Sequence, residues 1–309
     1  MEARIKPLNK INTKCEKGEN MKQKVEQCVI LMAGKGTRFL PATRAVAKEL
    51  FPIGNKPILL FHLVEALKSG IKRVCLVISK EKESVKKFFK HDYALEEQLK
   101  KSGKFELLQE LNEVIDNLEI DFIYQGNING SGGAVYSVKE WAKGEPFVVV
   151  NGDDLCISKN VPVMKQVIDA YEKTGKNIIG ARPFPLEVIP RYSSIITKEK
   201  LFDRCYDIDG IIEKPKNPPS NLVGLARYVL TSEIFDEILN CTPKNTEYYL
   251  TDAIDNLARK GRVASYEFDA NYYDCGNKLE YIKCMIEFGL NENDIKDDLK
   301  EYLKSLPLN

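Results

Sequence analysis

Histidine is almost missing from this chain, which has only His62 and His91. A Ser-His-Asp or Cys-His mechanism therefore has little to be built from. The eight cysteines include no Cys-x-x-Cys pair, and Cys28 and Cys75 fall inside apolar, strand-like runs. Reduced, buried thiols in a cytoplasmic protein are the expectation. No apolar run approaches the roughly 20 residues that would span a bilayer. Charge of one sign is lacking too. Lys and Arg number 46 against 45 Asp and Glu, a net charge of +1, so bulk composition points to neither nucleic acid nor membrane. The opening MEARIKPLNKINTKCEKGENMKQK is polar and Lys-rich, without the apolar centre of a secretory signal. Residues 1–24 are expected to be a disordered tail, with Met21 a candidate start of the folded part.

What is present is an ordinary soluble composition, 43% hydrophobic and 29% charged over 309 residues. Short apolar runs alternate with helical patterns, which predicts an α/β fold whose sheet is mixed and mainly parallel, with helices on both faces. Strands are expected at Cys28–Met32, Arg73–Ser79, Ile120–Tyr124, Phe147–Asn151 and Asn177–Ala181, then at Tyr192–Thr197, Ile208–Glu213, Leu222–Leu230 and Val263–Phe268. Pro57 opens an amphipathic helix carrying Leu60, Phe61, Val64 and Leu67, and Gly70 stops it. The charged stretch from Asp92 to Glu119 reads as one or two surface helices inserted between strands. Residues 25–290 form the expected domain, and 291–309 a final helix placed to meet a partner subunit.

Chemistry concentrates just after the first strand, in Leu31-Met32-Ala33-Gly34-Lys35-Gly36-Thr37-Arg38-Phe39-Leu40-Pro41. The glycines let the backbone turn tightly and bring N–H groups against phosphate or a base. Arg38 offers paired donors to phosphate oxygens. The spacing matches neither a Walker loop nor the dinucleotide GxGxxG. Farther on, Asp153 follows the apolar run Phe147-Val148-Val149-Val150, where a parallel strand would end and ligands of open α/β sheets collect. A carboxylate there suits Mg²⁺, which prefers oxygen ligands. The adjacent Asp154 reads as a turn or helix cap.

Lys48-Glu49-Leu50-Phe51-Pro52 and Asn55-Lys56-Pro57 follow the glycine turn. Together with it they resemble the AGxGTR–LP–T–KE–P–KP signature of sugar-1-phosphate nucleotidyltransferases, and most closely the bacterial UTP–glucose-1-phosphate uridylyltransferases. The likeness runs from about Val25 to Leu290. Further motifs appear in order: Tyr124-Gln125-Gly126, Gly130-Ser131-Gly132-Gly133-Ala134, Asn151-Gly152-Asp153-Asp154, Glu213-Lys214-Pro215, Arg227-Tyr228-Val229-Leu230, Leu250-Thr251-Asp252 and Asp274-Cys275-Gly276.

The resemblance implies a three-layer, Rossmann-like nucleotidyltransferase fold and transfer of a uridylyl group from UTP to glucose 1-phosphate with Mg²⁺. It implies Arg38 on the triphosphate, Lys48 near the reacting phosphates and Lys214 on the sugar phosphate. Ala33, Gly34, Gly36, Gln125, Gly130 and Gly132 would hold the nucleotide, Glu213 the sugar hydroxyls, and Asp274 would join Asp153 at the metal. A homodimer or homotetramer is the implied assembly. Departures cluster near the sugar. Ser193 and Ala226 stand where the family has glycines, Gly133 where it often has histidine, and Thr246 where an acidic residue precedes Glu247. Another nucleotide or hexose 1-phosphate, or a weakly active regulatory paralogue, is the alternative that these departures leave open.

Overall fold

The computed structural model describes residues 23–307, with Ala226 described by its backbone alone. The expected tail at 1–24 therefore lies outside the described residues but for its last two. Strand β1 (Gln27–Leu31) is followed by a tight ribbon of β2 (Pro52–Ile53) and β3 (Lys56–Pro57). Helix α1 (Ile58–Lys68) starts beyond Pro57, whose φ of −66° suits a helix entrance, and Gly70 turns the chain away at φ +83°. Strand β4 (Arg73–Ile78) comes next. The charged insert forms two helices, α2 (Tyr93–Ser102) and α3 (Glu106–Asn117). Asp92 caps α2 by accepting from Leu95 N at 3.0 Å, and Gly103 ends it at φ +70°. Then follow β5 (Glu119–Tyr124), α4 (Gly130–Tyr136), α5 (Lys139–Ala142), β6 (Phe147–Asn151), β7 (Asp154–Ile157) and α6 (Val163–Thr174).

The second half supplies β8 (Asn177–Pro183), the long β9 (Ser193–Phe202), β10 (Cys205–Glu213) and β11 (Leu222–Leu230). Helices α7 (Glu233–Asn240) and α8 (Leu250–Arg259), strands β12 (Val263–Glu267) and β13 (Asn271–Asp274), and helices α9 (Lys278–Gly289) and α10 (Lys296–Ser305) complete the chain. Helix α10 falls within the final helical segment expected after residue 290.

Nine strands form one sheet in the order β5-β4-β1-β6-β11-β8-β12-β10-β9. All nine are the strands expected from the apolar runs. The expectation of a mainly parallel sheet needs correction. Parallel pairing joins β5, β4, β1 and β6, and β8 to β12. Antiparallel pairing joins β11 to β6 and β8, and β10 to β12 and β9. The cause is β11, which enters between β6 and β8 against their direction. The start of β9 also pairs with β11, Ser193 opposite Gly224, so β11, β8, β12, β10 and β9 close on themselves.

Alternation along the central strands splits the core in two. Val29, Phe147 and Val149 face one apolar cluster with α4, α5, α7 and α8 residues, while Cys28, Ile30, Val148 and Val150 face another with residues of α1, α3 and α6. Strands buried on both faces read as unbroken apolar runs, which is why they were visible in the sequence. Each such fully buried Val or Phe contributes about 1.5–3 kcal/mol of apolar transfer.

Candidate active site

At the end of β1 the chain passes through Ala33 and Gly34 into an open turn. A Cβ at Gly34 would meet nothing within 4 Å, so its backbone is free to take a ligand. Ala33, Gly34, Lys48, Gln125, Gly130 and Ser131 all line a cleft of about 800 Å³. The amide nitrogen of Gln125 donates to the carbonyls of Ile128 (3.1 Å) and Gly130 (3.2 Å), which ties the following loop to the end of β5. Gly130 sits at φ +86°, where a side chain would collide with the Tyr248 backbone. Two expected nucleotide ligands stand back from this cleft. Gly36, at φ +65°, makes the turn itself and accepts from Thr43 Oγ1 at 3.0 Å. Gly132 is buried and donates to Tyr248 O at 2.8 Å.

The end of β6 holds the charged centre. Gly152 and Asp153 turn the chain into β7, which pairs antiparallel with β13, Asp154 opposite Asp274. This small ribbon, which the sequence patterns did not suggest, is what brings Asp274 to Asp153. Lys48 forms an ion pair with Asp153. Burial works against the charge on Asp153, but Lys48 and Arg38 outweigh it and hold its carboxyl below the usual carboxylate range. Asp274 goes the other way, raised by burial and by the neighbouring Asp153. Arg38 Nη1 donates to the Gly276 carbonyl at 3.1 Å, and Gly276 N donates to Asp274 Oδ1 at 3.0 Å. A Cβ on Gly276 would strike Asp153 Oδ2 and come within 3.0 Å of Asp274 Oδ1. The two carboxylates thus converge over a glycine that leaves room between them.

Asp154 is not the turn or helix cap expected of it. It is buried at the start of β7, hydrogen-bonded to Tyr272 Oη at 2.7 Å and to Asn151 Nδ2 at 3.0 Å. Burial, with Asp153 and Asp274 nearby, pushes its carboxyl up to about 7. It therefore holds a proton over much of the range in which Asp153 is charged.

A second cavity of about 250 Å³ opens on the far side of this centre. Arg38, Asp153 and Asp274 border it at one end, and Ser193, Glu213, Lys214 and Thr251 at the other, while Ser131 and Asn151 line both cavities. Glu213 accepts from Thr251 Oγ1 at 2.9 Å and lies 3.2 Å from Lys214 Nζ. Lys214 has φ +46° and an exposed side chain on the rim. Ser193 is buried and turns its hydroxyl onto the Gly224 carbonyl at 3.1 Å. The side chain of Ala226 lies outside the described residues.

Sequence patterns missed a buried pair beside Lys48. Lys82 Nζ donates to Met32 O and to both Glu49 oxygens, at 2.5, 3.0 and 2.8 Å. Burial lowers the Lys82 pKa and raises that of Glu49, each against the pull of the other. The pair ties the Lys48 segment to the end of β1. No local periodicity signals a lysine and a glutamate that meet across 33 positions.

Two half-buried carboxylates that converge with a gap between them fit a small hard cation whose remaining ligands come from phosphate and water. Two adjoining cavities, each lined by Lys or Arg side chains, define a class: an enzyme that brings two anionic substrates together. The comparisons with known proteins agree. The profile described as Nucleotidyl transferase matches residues 27–288, and the chain belongs to that family. UTP–glucose-1-phosphate uridylyltransferase 2 of Staphylococcus saprophyticus is 39% identical over 93% of this chain and 100% of its own length. The UTP–glucose-1-phosphate uridylyltransferase of Streptococcus pneumoniae is 41% identical over 93% of this chain and 97% of its own. A UDP-glucose pyrophosphorylase solved with UDP-glucose superposes with a TM-score of 0.79 at 31% identity, over 85% of this chain and 98% of the other. A UTP-bound enzyme from Acinetobacter baumannii gives 0.81 at 28% identity, over 91% and 99%.

Proposed function

We propose that this enzyme transfers the uridylyl group of UTP to glucose 1-phosphate, giving UDP-glucose and pyrophosphate. The observation that carries the reading is that two cavities adjoin at Ser131 and Asn151, with Lys48 lining the larger and Arg38, Asp153 and Asp274 lining the smaller. The relatives' shared activity supports the choice of substrates. An oxygen of the sugar phosphate bonds to the α-phosphorus of UTP, and the bond from that phosphorus to the bridging oxygen breaks, so the electron pair leaves with pyrophosphate. The attacking phosphate is already ionised near neutral pH. Alignment and charge neutralisation carry the catalysis, and no histidine base is needed.

Asp153 and Asp274 would hold Mg²⁺, which supplies Lewis-acid neutralisation of the triphosphate. Lys48, paired to Asp153 without substrate, is placed to turn toward the phosphates. Arg38 stabilises the leaving pyrophosphate, and Lys214 takes the sugar phosphate at the rim. Glu213, already oriented by Thr251, accepts from sugar hydroxyls. With both Gln125 amide hydrogens directed at loop carbonyls, its oxygen is left to accept from the N3–H of uracil, where cytosine has no such donor.

The cytoplasm is the proposed compartment, and no helix among the described residues is long and apolar enough to cross a membrane. A dimer or tetramer is the proposed assembly, supported by exposed Leu279, Ile282, Ile295 and Tyr302 on and between α9 and α10. Light scattering on the purified chain tests it, and a monomer at micromolar concentration would overturn it. The activity is tested by pyrophosphate release with UTP, dTTP and CTP against glucose, galactose and xylose 1-phosphates. UTP with glucose 1-phosphate should give the highest kcat/KM. A higher value for any other pair overturns the substrate assignment.

A further inference from the structure

Behind the Gly152–Asp154 turn, on the side away from both cavities, lies a polar cluster enclosed in the core. Its centre is Arg227 of β11, whose side chain is 1% exposed. Arg227 Nη2 donates to Glu65 Oε2 at 2.7 Å, and Nε lies 3.2 Å from the same oxygen. Glu65 Oε1 also accepts from Met164 N at 2.8 Å, which binds α1 to α6. Two further contacts leave this ion pair for the acidic turn. Arg227 Nη1 donates to the Asp154 carbonyl at 3.1 Å. Arg227 Nη2 meets His62 Nδ1 at 3.2 Å, and His62 Nε2 meets the Gly152 carbonyl at 3.1 Å.

The tautomer of His62 follows from its partners. Guanidinium groups only donate, so Nδ1 must present its lone pair, and the carbonyl only accepts, so Nε2 must carry the proton. A neutral imidazole with its proton on Nε2 is the one form that satisfies both contacts. Burial and the adjacent Arg227 hold its pKa down to about 3, in keeping with that form. The carbonyls immediately before and after Asp153 are therefore both gripped from behind, one by His62 and one by Arg227. From the front, Cys275 N donates to the Asp153 carbonyl at 2.8 Å, and Gly152 N donates to Leu31 O at 2.9 Å. The peptide units that carry the Asp153 side chain are thereby fixed on each side.

We infer that His62, backed by Arg227 and Glu65, is a positioning residue that aims the Asp153 carboxylate at the cation. The inference rests on the reading of Asp153 as a metal ligand. Partners of this kind behind metal ligands change affinity by roughly 10–100-fold when removed. His62 lines neither cavity, so its effect must pass through the Gly152 carbonyl and through Arg227, which holds the Asp154 carbonyl.

The test uses the full-length protein and Mn²⁺ as the probe, with binding followed by the electron paramagnetic resonance of free Mn²⁺ in the presence of UTP. His62→Leu keeps the bulk and removes both polar contacts, whereas His62→Gln retains an amide donor for the Gly152 carbonyl. His62→Leu should weaken Mn²⁺ binding about tenfold and lower kcat in step, with KM for both substrates at saturating metal within about twofold. His62→Gln should recover most of the loss. Unchanged Mn²⁺ affinity in His62→Leu, whatever its thermal stability, overturns the inference, as does equal loss in both variants. Asp153→Asn separates the two readings: if it binds Mn²⁺ normally, the metal assignment itself falls. If His62→Leu does not fold, ¹⁵N-histidine NMR of the wild-type protein decides the question. Nε2 should be protonated and Nδ1 not, and the Nε2 signal should shift when Mg²⁺ is added with UTP. The opposite tautomer, or a signal indifferent to Mg²⁺, overturns the inference.

Discussion

The two halves of the sheet hold their charged residues in different ways. Beside the parallel half, β5-β4-β1-β6, Lys48 is 15% exposed and paired with Asp153, and the neighbouring Lys82–Glu49 pair is buried. Beside the closed ring of β11, β8, β12, β10 and β9, Lys214 is 56% exposed and lies near Glu213 and over the Tyr249 ring. The proposed nucleotide and metal side is thus held in ion pairs without substrate, whereas the proposed sugar side keeps its cation largely in water. Buried charges are tolerated only when paired, and once paired they are held in direction. A rim lysine keeps its freedom and adds affinity without organising the centre.

The sharpest way to break this contrast is Asp153→Asn, which removes an anionic ligand and the partner of Lys48 together. Turnover should fall by more than the roughly 100-fold typical of partners one shell farther out, with thermal stability near wild type. Near-normal kcat at limiting Mg²⁺ would show that the centre is not organised around Asp153. Lys214→Ala should act more weakly and elsewhere. Loss of one charged donor at an exposed site should raise KM for glucose 1-phosphate roughly tenfold and leave KM for UTP unchanged. Equal increases in both constants would mean that the two cavities do not divide the substrates as proposed.

Asp154 sharpens the comparison through pH. Its carboxyl is raised from 3.8 to about 7 in the folded protein. At pH 4 and below, folded and unfolded chains both hold this proton and the raised value costs nothing. Between about 4 and 7 the unfolded chain releases the proton while the folded chain keeps it, so stability falls as pH rises, and above 7 the loss is complete. Asp154→Asn copies the protonated carboxyl and keeps partners for Tyr272 and Asn151. In urea unfolding without metal, the variant should gain on wild type from pH 4 to 7 and hold a constant lead above pH 8, of a few kcal/mol at most. A stability difference independent of pH would place the proton elsewhere.

Legibility in the sequence followed burial and chain order. The central strands could be read because continuous apolar runs such as Phe147-Val148-Val149-Val150 announce burial on both faces, and the outer ones because shorter apolar stretches still mark them. The ribbon of β7 and β13 could not, since Asp154-Leu155-Cys156-Ile157 and Asn271-Tyr272-Tyr273-Asp274 are four residues each and begin with polar groups. That gap carried the misreading of Asp154 with it, because a buried start of strand was taken for a turn or helix cap. Arg38 and Asp153 were singled out by their place after β1 and β6, Lys48 and Asp274 by motif likeness, and the fold brings all four together. What remained hidden were the partners that hold them. Glu65 and Arg227 meet across 162 positions, and His62 sits on an apolar helix face where nothing local marks it as polar machinery.

The smallest effect expected concerns sugar choice, and it tests whether the closed ring merely holds the sugar or selects it. Ser193 and Ala226 stand where the family resemblance leads to an expectation of glycines near the sugar. The fold alters what Ser193 can do there. It stands opposite Gly224 where the ring closes, its hydroxyl satisfied by the Gly224 carbonyl, and a Cβ at Gly224 would lie 2.9 Å from Ser193 Oγ. The serine oxygen is thus spent on the strand partner, and only its added carbon can press on the pocket. Reverting both positions, Ser193→Gly with Ala226→Gly, should raise kcat/KM for glucose 1-phosphate while barely moving KM for UTP. A hydroxyl left imperfectly paired in a closed pocket costs about 1–3 kcal/mol, and with the serine oxygen already satisfied the gain should sit near the lower end, roughly fivefold. Steady-state kinetics with glucose, galactose and xylose 1-phosphates on both forms measure it. An unchanged order and spacing of the three sugars would show that the ring closes around the sugar without selecting it, with Ser193 serving the β9–β11 pairing alone.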